Sequence, residues 1–307
     1  MAFSGFKPPV KKVVLQNEGF VVELWPELGG AITRFDHKTG GGFRPLFRAA
    51  REQERYIAPD LSCWPLVPYS NRIMDGRFSC NGQAYQLDLN VEGHPHALHG
   101  FGWQRPWQVA EQSSTMCRLV LDHVPDGDWP FSCAAEQVVE LHENGLSITS
   151  STLNTGSVDM PVGVGVHPYV MRPAGTRIQA NVDGVWLTDE NVMPTQRINL
   201  PPEWDLRSGA MLDGVFMDNC FDGLSGSVRV LWPDQASLEI CGSPNLSYLV
   251  VYNPPEENYV CVEPVSHMTD AVNRAAAGQS HTGHQILKAG EKAACRHDFL
   301  FHPAVLK

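Results

Sequence analysis

The chain has 307 residues, of which 43% are hydrophobic and 19% are charged, so it can bury a large core and has the composition of an ordinary globular protein. Its 34 acidic and 23 basic residues give a net charge of −11, which would repel nucleic acid and anionic membrane surfaces and makes both poor candidates as partners. No apolar run reaches the roughly 18 residues of a transmembrane helix, and the first residues lack the pattern of a signal peptide, so we expect a cytoplasmic protein.

Short strands dominate the predicted secondary structure, because β-branched or alternating apolar residues recur between turn residues. Asn81-Gly82 separates two such runs, 77–80 and 83–87, and supplies the positive φ angles of a type I′ hairpin turn. The segment 269–277 is the one predicted helix, since 27 glycines and 23 prolines interrupt the chain elsewhere. The other strands are predicted, in chain order, at 20–24, 31–35, 118–124, 137–141, 146–153, 185–188, 228–232, 237–240, 248–252 and 259–263.

Many short antiparallel strands joined by frequent turns predict a sandwich or a barrel. No linker, repeat or low-complexity segment divides the chain, and the segments 40–60 and 191–216 are expected to be loops of one domain. We therefore predict an all-β fold with a single domain over residues 1–307. The eight cysteines are scattered without a C-x-x-C pair, so we expect reduced thiols, many of them buried.

Two histidines and one glutamate stand at the ends of apolar segments. His167 ends a glycine-punctuated strand, and Pro168 after it is expected to break that strand. His99 follows another apolar run, and Glu263 ends a third one and also precedes a proline. Partial desolvation raises the pKa of a glutamate and makes it a better base at neutral pH, while a histidine can deliver a proton there. The three side chains indicate an acid–base site.

Aromatic residues and glycines follow His99 directly. The glycines on either side of Phe101 allow the backbone to approach a ligand closely. Phe101, Trp103 and Trp107 offer flat apolar faces, and Trp107 is equally compatible with a place in the core. Aromatic faces beside polar side chains suit sugars, whose rings have C–H faces and hydroxyl edges.

Other kinds of site are poorly supported. The chain has no G-x-S-x-G nucleophile motif and no phosphate-binding glycine loop. Glycoside hydrolysis stays open because Asp218 or Asp222 could face Glu263 across a bond. We expect no metal, because the spacing of the histidine clusters matches no helix-borne zinc motif. These clusters are His94, His96 and His99, then His281 and His284, and lastly Cys295 and His297.

Five segments, in order along residues 20–302, resemble motifs of the aldose 1-epimerases, or mutarotases. They are Asn71-Arg72-Ile73 with Gly76-x-Phe78, then Leu98-His99-Gly100, Val166-His167-Pro168-Tyr169, Asp218-Asn219-Cys220-Phe221 and Val262-Glu263-Pro264. The resemblance implies a large antiparallel β-sandwich of the galactose mutarotase type. It also implies interconversion of the α and β anomers of a free aldose, without a cofactor or a metal, by a monomer or a homodimer.

The resemblance also implies roles for individual residues. Glu263 would be the base that takes the proton from the C1 hydroxyl, and His167 would be the acid that protonates the ring oxygen. After ring opening, rotation about the C1–C2 bond and closure would give the other anomer. Four further residues would contact the sugar, namely His99, Arg72, Asn71 and Asp218.

Two segments depart from the usual pattern of the family. Phe101 follows the first glycine where familiar members have a second glycine, and His167 lies in Gly-Val-His-Pro-Tyr instead of Asn-His-Ser-Tyr-Phe. Such variants resemble divergent bacterial branches, including hexose-6-phosphate 1-epimerases, for which Arg105 would be a candidate phosphate ligand. A hexose-6-phosphate 1-epimerase and a non-catalytic carbohydrate-binding protein therefore remain as alternatives.

Overall fold

The computed structural model of the chain describes residues 11–51 and 55–304. In chain order its strands are β1 (Val13–Gln16), β2 (Phe20–Trp25), β3 (Ala31–Thr39), β4 (Gly42–Pro45), β5 (Cys63–Pro65), β6 (Arg72–Ile73), β7 (Arg77–Cys80), β8 (Gln83–Gln86), β9 (Ala97–Leu98), β10 (Gln108–Gln112), β11 (Met116–His123), β12 (Cys133–His142) and β13 (Gly145–Asn154). They continue with β14 (Met160–Val162), β15 (Val166–Met171), β16 (Arg177–Asn181), β17 (Gly184–Thr188), β18 (Pro194–Ile198), β19 (Ala210–Met211), β20 (Met217–Asp222), β21 (Ser225–Leu231), β22 (Ser237–Gly242), β23 (Tyr248–Asn253), β24 (Tyr259–Val265), β25 (Gln285–Leu287) and β26 (Lys292–His302).

Helical structure is scarce in the described ranges. The one α-helix there, α1, spans Ala271–Ala276. Short 3-10 turns lie at Ala58–Asp60, Met74–Gly76, Gly102–Gln104, Pro202–Trp204 and Leu206–Ser208. No helix among these residues has the length and apolar character needed to cross a membrane.

Two large antiparallel sheets share the hydrophobic core. The first has eleven strands in the order β1-β2-β3-β5-β15-β24-β23-β20-β17-β18, with β4 beside β3, and the second has nine in the order β10-β11-β12-β13-β26-β22-β21-β16-β19. Side chains of both sheets meet in the core, where the rings of Phe20 on β2 and Phe301 on β26 lie 6.5 Å apart. The predicted all-β sandwich is therefore confirmed.

The first sheet is covered on both faces. Along β24, Val260 and Val262 join the core between the sheets, whereas Tyr259 and Cys261 join a second, aromatic-rich cluster on the outer face. This alternation follows from the two-residue period of a strand. A cavity lies beside this outer cluster, and several of the residues that line it are polar.

The predicted hairpin is confirmed, with φ of 52° at Asn81 and 77° at Gly82 between β7 and β8. The other predicted strands are present, with observed ends within four residues of the predicted ones, and those predicted at 118–124 and 228–232 end one residue earlier than expected. The predicted loops 40–60 and 191–216 contain short elements as well, β4 in the first and β18 and β19 in the second. All eight cysteines are free, and seven of them are buried.

The strand that carries His167 does not end at Pro168, contrary to the prediction. β15 continues to Met171, and it changes partner at the proline: residues 166–168 pair with β5, and residues 169–171 pair with β24. A proline lacks an N–H donor and so interrupts a hydrogen-bonded ladder. Here the change of partner occurs at that residue, so the strand continues through it. Glu263 likewise lies within β24, which continues through Pro264 to Val265.

Candidate active site

A cavity of about 550 Å³ lies on the outer face of the first sheet, within the usual size range of small-molecule sites. The six residues predicted for the site all line it, namely Asn71, Arg72, His99, His167, Asp218 and Glu263. The remaining lining residues are Ile57, Pro59, Trp64, Asn90, Val91, Glu92, Leu98, Trp103, Gln104, Tyr169, Val250, Tyr252 and Tyr259.

Strand register places His167 and Glu263 side by side. Tyr169 of β15 lies opposite Cys261 of β24, so in this antiparallel pair the residue two before Tyr169 faces the residue two after Cys261. The result is a distance of 3.4 Å between Nε2 of His167 and Oε1 of Glu263. Two titratable side chains from adjacent strands therefore form one coupled acid–base pair.

Burial controls the protonation of this pair. His167 is 7% exposed and Glu263 is 1% exposed. Burial, opposed in part by its own backbone and aided by Arg48 and Arg72, lowers the pKa of His167 to about 3. Burial and the carboxylate of Asp218 raise the pKa of Glu263 well above its usual value. Both shifts favour the neutral form of the pair, in which the shared proton lies on the carboxyl group.

The pair also has free capacity for hydrogen bonds. Nδ1 of His167 and Oε2 of Glu263 are buried and have no partner among the described residues. Buried polar atoms are nearly always satisfied in a folded protein. Because both side chains line the cavity, a polar ligand could provide the missing partners.

Aromatic rings hold the imidazole of His167. The ring of Trp64, which is its neighbour on β5, stacks on it with centroids 4.2 Å apart and planes at 25°. The ring of Tyr169 stacks on it at 5.0 Å and 20°. These contacts limit the rotation of the imidazole and keep its Nε2 atom directed at Glu263.

A reciprocal pair of hydrogen bonds fixes His99. The backbone N–H of His99 donates to the carbonyl oxygen of Asn71 over 2.8 Å, and the backbone N–H of Asn71 donates to Nδ1 of His99 over 3.0 Å. Both residues have positive φ, 58° and 61° respectively. Since Nδ1 accepts a hydrogen bond, the neutral ring carries its proton on Nε2 and can donate from there. Burial keeps the pKa of His99 well below its usual value.

Gly100 allows this arrangement to approach the neighbouring loop. Its φ is 69°, and a Cβ atom there would lie 2.2 Å from the carbonyl oxygen of Val67. The same carbonyl accepts hydrogen bonds from the N–H groups of Phe101 and Gly102, both over 3.0 Å. A glycine is therefore required after His99 for a steric reason.

Arg72 connects the predicted sugar-binding residues. Its guanidinium lies 3.6 Å from the carboxylate of Asp218 and donates to the side-chain oxygen of Asn71 over 2.9 Å. Burial raises the pKa of Asp218, and Arg72 opposes that shift. Asp222 has different surroundings: its carboxylate accepts two hydrogen bonds of 2.7 Å from Arg197. Of these two aspartates, Asp218 alone lines the cavity.

Several other candidate residues lie elsewhere. Arg105 donates to the carboxylates of Asp126 and Asp128 and does not line the cavity. Phe101 and Trp107 are in the core between the sheets, whereas Trp103 lines the cavity. Of the three rings, Trp103 lies where an aromatic face was predicted, Trp107 takes the core position that the sequence left open, and Phe101 departs from the prediction.

One group of possible metal ligands is present among the described residues. The ligand atoms of His167, Cys261 and Glu263 lie within 4.8 Å of one another. Metal ions bind the thiolate form of cysteine, and burial together with Glu263 raises the pKa of Cys261 well above its usual value. The neutral thiol and carboxyl groups fit a metal poorly, and the absence of a metal stays a prediction.

Sequence reasoning did not assign site roles to Trp64, Tyr252 or Tyr259. The two-residue period could have identified Tyr259, which lies on the same face of β24 as Glu263. Trp64 and Tyr252 reach the cavity because β5 and β23 pair with β15 and β24, and strand order is not encoded locally.

Comparisons with known proteins bear on the family and the fold. The model of the family described as aldose 1-epimerase matches residues 11–297. The uncharacterized Escherichia coli (strain K12) protein YphB is 33% identical over 259 residues, which cover 81% of this chain and 86% of that protein. A crystal structure from Escherichia coli K12 has a TM-score of 0.85 at 29% identity, covering 95% of this chain and 99% of that chain.

A more distant structure shares the fold. A galactose mutarotase-like protein from Clostridium acetobutylicum has a TM-score of 0.83 at 19% identity, with 95% of both chains covered. At this identity the similarity shows the fold alone.

Proposed function

This chain belongs to the aldose 1-epimerase family, and from that premise we propose that it interconverts the α and β anomers of an unphosphorylated aldose. Membership of the family supports a mutarotase-type activity in general. The observation that carries the specific proposal is the buried pair of His167 and Glu263, 3.4 Å apart and lining a cavity that also presents Arg72, Asp218 and His99.

The reaction requires two proton transfers, one at each of the two oxygen atoms bonded to C1. Glu263 accepts the proton of the C1 hydroxyl, His167 delivers a proton to the ring oxygen, the C1–O5 bond breaks and a C1 carbonyl forms. Rotation about C1–C2 and the reverse transfers close the ring to the other anomer. The atoms balance without a cofactor, because each proton that one residue takes up is matched by one that the other releases.

The resting pair must first be converted to its ionic form. Moving the shared proton from Glu263 to His167 gives a carboxylate base and an imidazolium acid. Hydroxyl groups of a bound sugar that donate to the carboxylate would stabilise this form. Nε2–H of His99, whose tautomer is fixed by Asn71, is available to donate to an oxygen of the sugar near C1.

The charge of the cavity favours a neutral sugar over a phosphorylated one. Arg72 is the one cation among the lining side chains that the structure describes, and it is paired with Asp218. Glu92 adds a further acidic group to the lining, and Glu263 adds another when the pair is in its ionic form. A phosphate dianion would meet carboxylates there, and Arg105, its candidate partner, is engaged with Asp126 and Asp128.

Polarimetry tests the proposal with freshly dissolved α-glucose, α-galactose and other aldoses, alongside glucose 6-phosphate followed by NMR. We expect acceleration on at least one free aldose, unchanged after exhaustive chelation, and little on the phosphate. Acceleration on the phosphate alone would favour the hexose-6-phosphate 1-epimerase. Sugar binding without any acceleration would favour the non-catalytic binding protein.

The two aspartates of β20 provide a paired prediction for substrate binding. Asp218→Asn removes a carboxylate that lines the cavity, and we expect kcat/KM to fall about tenfold or more, the effect of losing a hydrogen bond to a charged group. Asp222→Asn is the matched control on the same strand face and should retain kcat/KM. Steady-state kinetics by polarimetry measures both, and equal losses in the two variants would contradict the assignment.

The pKa shifts also predict the pH dependence. The active pair carries one proton, so activity falls at low pH when a second proton binds and at high pH when the shared proton leaves. Because the pKa of His167 is lowered from 6.5 to about 3, kcat/KM should not decline as the pH falls through 6.5. Rates measured from pH 4 upward and corrected for the uncatalysed reaction check this. An acid-side decline to half the maximal value near pH 6.5 would disprove it.

A further inference from the structure

A buried arginine lies beneath the cavity, in a segment that was predicted to be a loop. Arg48 is 6% exposed, and its guanidinium carbon lies 4.1 Å from the ring centroid of Tyr169 and 4.7 Å from that of Tyr259. Its backbone N–H also donates to the carbonyl oxygen of Tyr169 over 2.8 Å. The arginine thus contacts two rings of the cavity without lining the cavity itself.

Tyr169 connects this arginine to His167. The tyrosine ring that contacts the guanidinium of Arg48 also stacks on the imidazole of His167, with centroids 5.0 Å apart. Cation–π contacts are strongest when the cation is desolvated. Arg48 therefore stabilises the orientation of a ring that contacts His167.

Arg48 also forms hydrogen bonds with the backbone at the rim of the cavity. Its Nη2 atom donates to the carbonyl oxygens of Pro59, over 2.5 Å, and Leu61, over 2.6 Å. Pro59 lines the cavity, so the guanidinium holds the backbone of the rim and the aromatic rings of the floor at the same time. A planar guanidinium can lie on the two aromatic rings and donate to the rim at the same time, which the compact ammonium of a lysine cannot do in the same way.

We propose that Arg48 is a positioning residue of the site, which fixes Tyr169 against His167 and ties the rim segment 59–61 to the cavity floor. The effect on reaction rate rests on the proposed epimerase function, whereas the effect on His167 itself does not. Neither the residues of the family motifs nor the cavity lining includes this arginine.

The charge of Arg48 should also affect the titration of His167. A nearby cation disfavours the imidazolium, so its removal should raise the pKa of His167. Burial and Arg72 act in the same direction and would remain. The other titratable groups around His167 are Glu263, His99, Tyr169, Cys63 and Cys261.

Two substitutions separate the charge from the geometry. Arg48→Gln removes the charge and keeps a donor for the rim carbonyls, whereas Arg48→Lys keeps the charge and loses the planar guanidinium. Arg44→Gln is a matched control, because Arg44 also lies over aromatic rings, 4.7 Å from Trp232 and 5.4 Å from Phe301, but outside the cavity. Far-UV circular dichroism and urea unfolding first establish that each variant is folded.

NMR of the histidine ring C–H groups, with the His167 signal assigned by its loss in His167→Gln, gives a readout that does not need activity. In Arg48→Gln we expect the titration of His167 to move to higher pH by about half a unit or more, and kcat/KM to fall about tenfold. In Arg48→Lys the titration should stay close to wild type while kcat/KM still falls, and Arg44→Gln should match wild type in both.

An unchanged His167 titration in folded Arg48→Gln, or an equal shift in Arg44→Gln, would overturn the proposal. If Arg48→Gln does not fold, wild-type kcat/KM in Arg48→Lys would overturn it instead. Should the wild-type chain have no epimerase activity, the shift of the His167 titration still supports the link from Arg48 to His167, and its absence refutes that link. The failure of the proposed function and the failure of this inference are therefore distinguishable.

Discussion

Replacing Glu263 by glutamine is expected to lower the catalysed rate of anomer exchange by at least about 10²-fold, the scale of general acid–base catalysis. Glutamine has nearly the same shape but can neither take the C1 hydroxyl proton nor carry the proton that the pair shares. Polarimetry on the preferred aldose measures the loss.

The same substitution should not lower stability. The pKa of Glu263 is raised in the folded protein. Its contribution to the unfolding free energy is therefore present at low pH and is lost as the pH rises through that pKa. A neutral amide avoids this loss, and urea unfolding at neutral pH should show an unfolding free energy no smaller than that of wild type. Glu239→Gln, on the second sheet, is the control and should keep full activity. Near-wild-type exchange in Glu263→Gln would mean that this residue is not the base.

Replacing His167 by alanine should also lower anomer exchange by at least about 10²-fold. The substitution removes the acid for the ring oxygen and leaves a space beside the rings of Trp64 and Tyr169, which contact the imidazole and each other. Imidazole added to the solution can enter that space, so we expect it to restore part of the activity. Measuring kcat/KM against imidazole concentration tests whether the missing group acts chemically.

His123→Ala provides the matched control for this variant. His123 is also buried and stacks on an aromatic ring, that of Phe101 at 4.0 Å, but it does not line the cavity. It should lose stability, by about 1–3 kcal/mol as core substitutions commonly do, and retain anomer exchange. If the two histidine variants lose activity equally, or if His167→Ala is fully active, the role of His167 is misassigned.

Much of the fold can be predicted from the sequence, because many of the patterns that indicate strands and turns depend only on neighbouring residues. Asn81-Gly82 determines its hairpin by backbone conformation alone, and the strands 137–141 and 146–153 lie within longer observed strands. β26 was not predicted, although its buried positions alternate, because charged residues and His297 obscure the apolar pattern. His297 is fully buried and its Nε2 atom lies 2.8 Å from the carbonyl oxygen of Pro264, a contact that only the folded sheets create.

The site was predictable in part for a similar reason. Motifs identified the six residues that the structure brings together, and strand periodicity explains why His167 and Glu263 share a face. The aromatic and cationic residues that support His167 were not predicted. Trp64 reaches the site through the pairing of β5 with β15, and Arg48 lies in the segment 40–60, which was predicted to be a loop. Pro168 misled the prediction because a strand can change partner at a proline and continue.

The most direct test of anomer interconversion by Glu263 and His167 measures exchange between the two anomers at equilibrium. A sugar labelled with ¹³C at C1 shows exchange cross-peaks in two-dimensional NMR when the enzyme interconverts the anomers faster than buffer alone. We expect cross-peaks for an unphosphorylated aldose with the wild-type chain, and their loss with Glu263→Gln and with His167→Ala. Exchange no faster than buffer for every free aldose that binds, or equal exchange in wild type and both variants, would contradict this expectation.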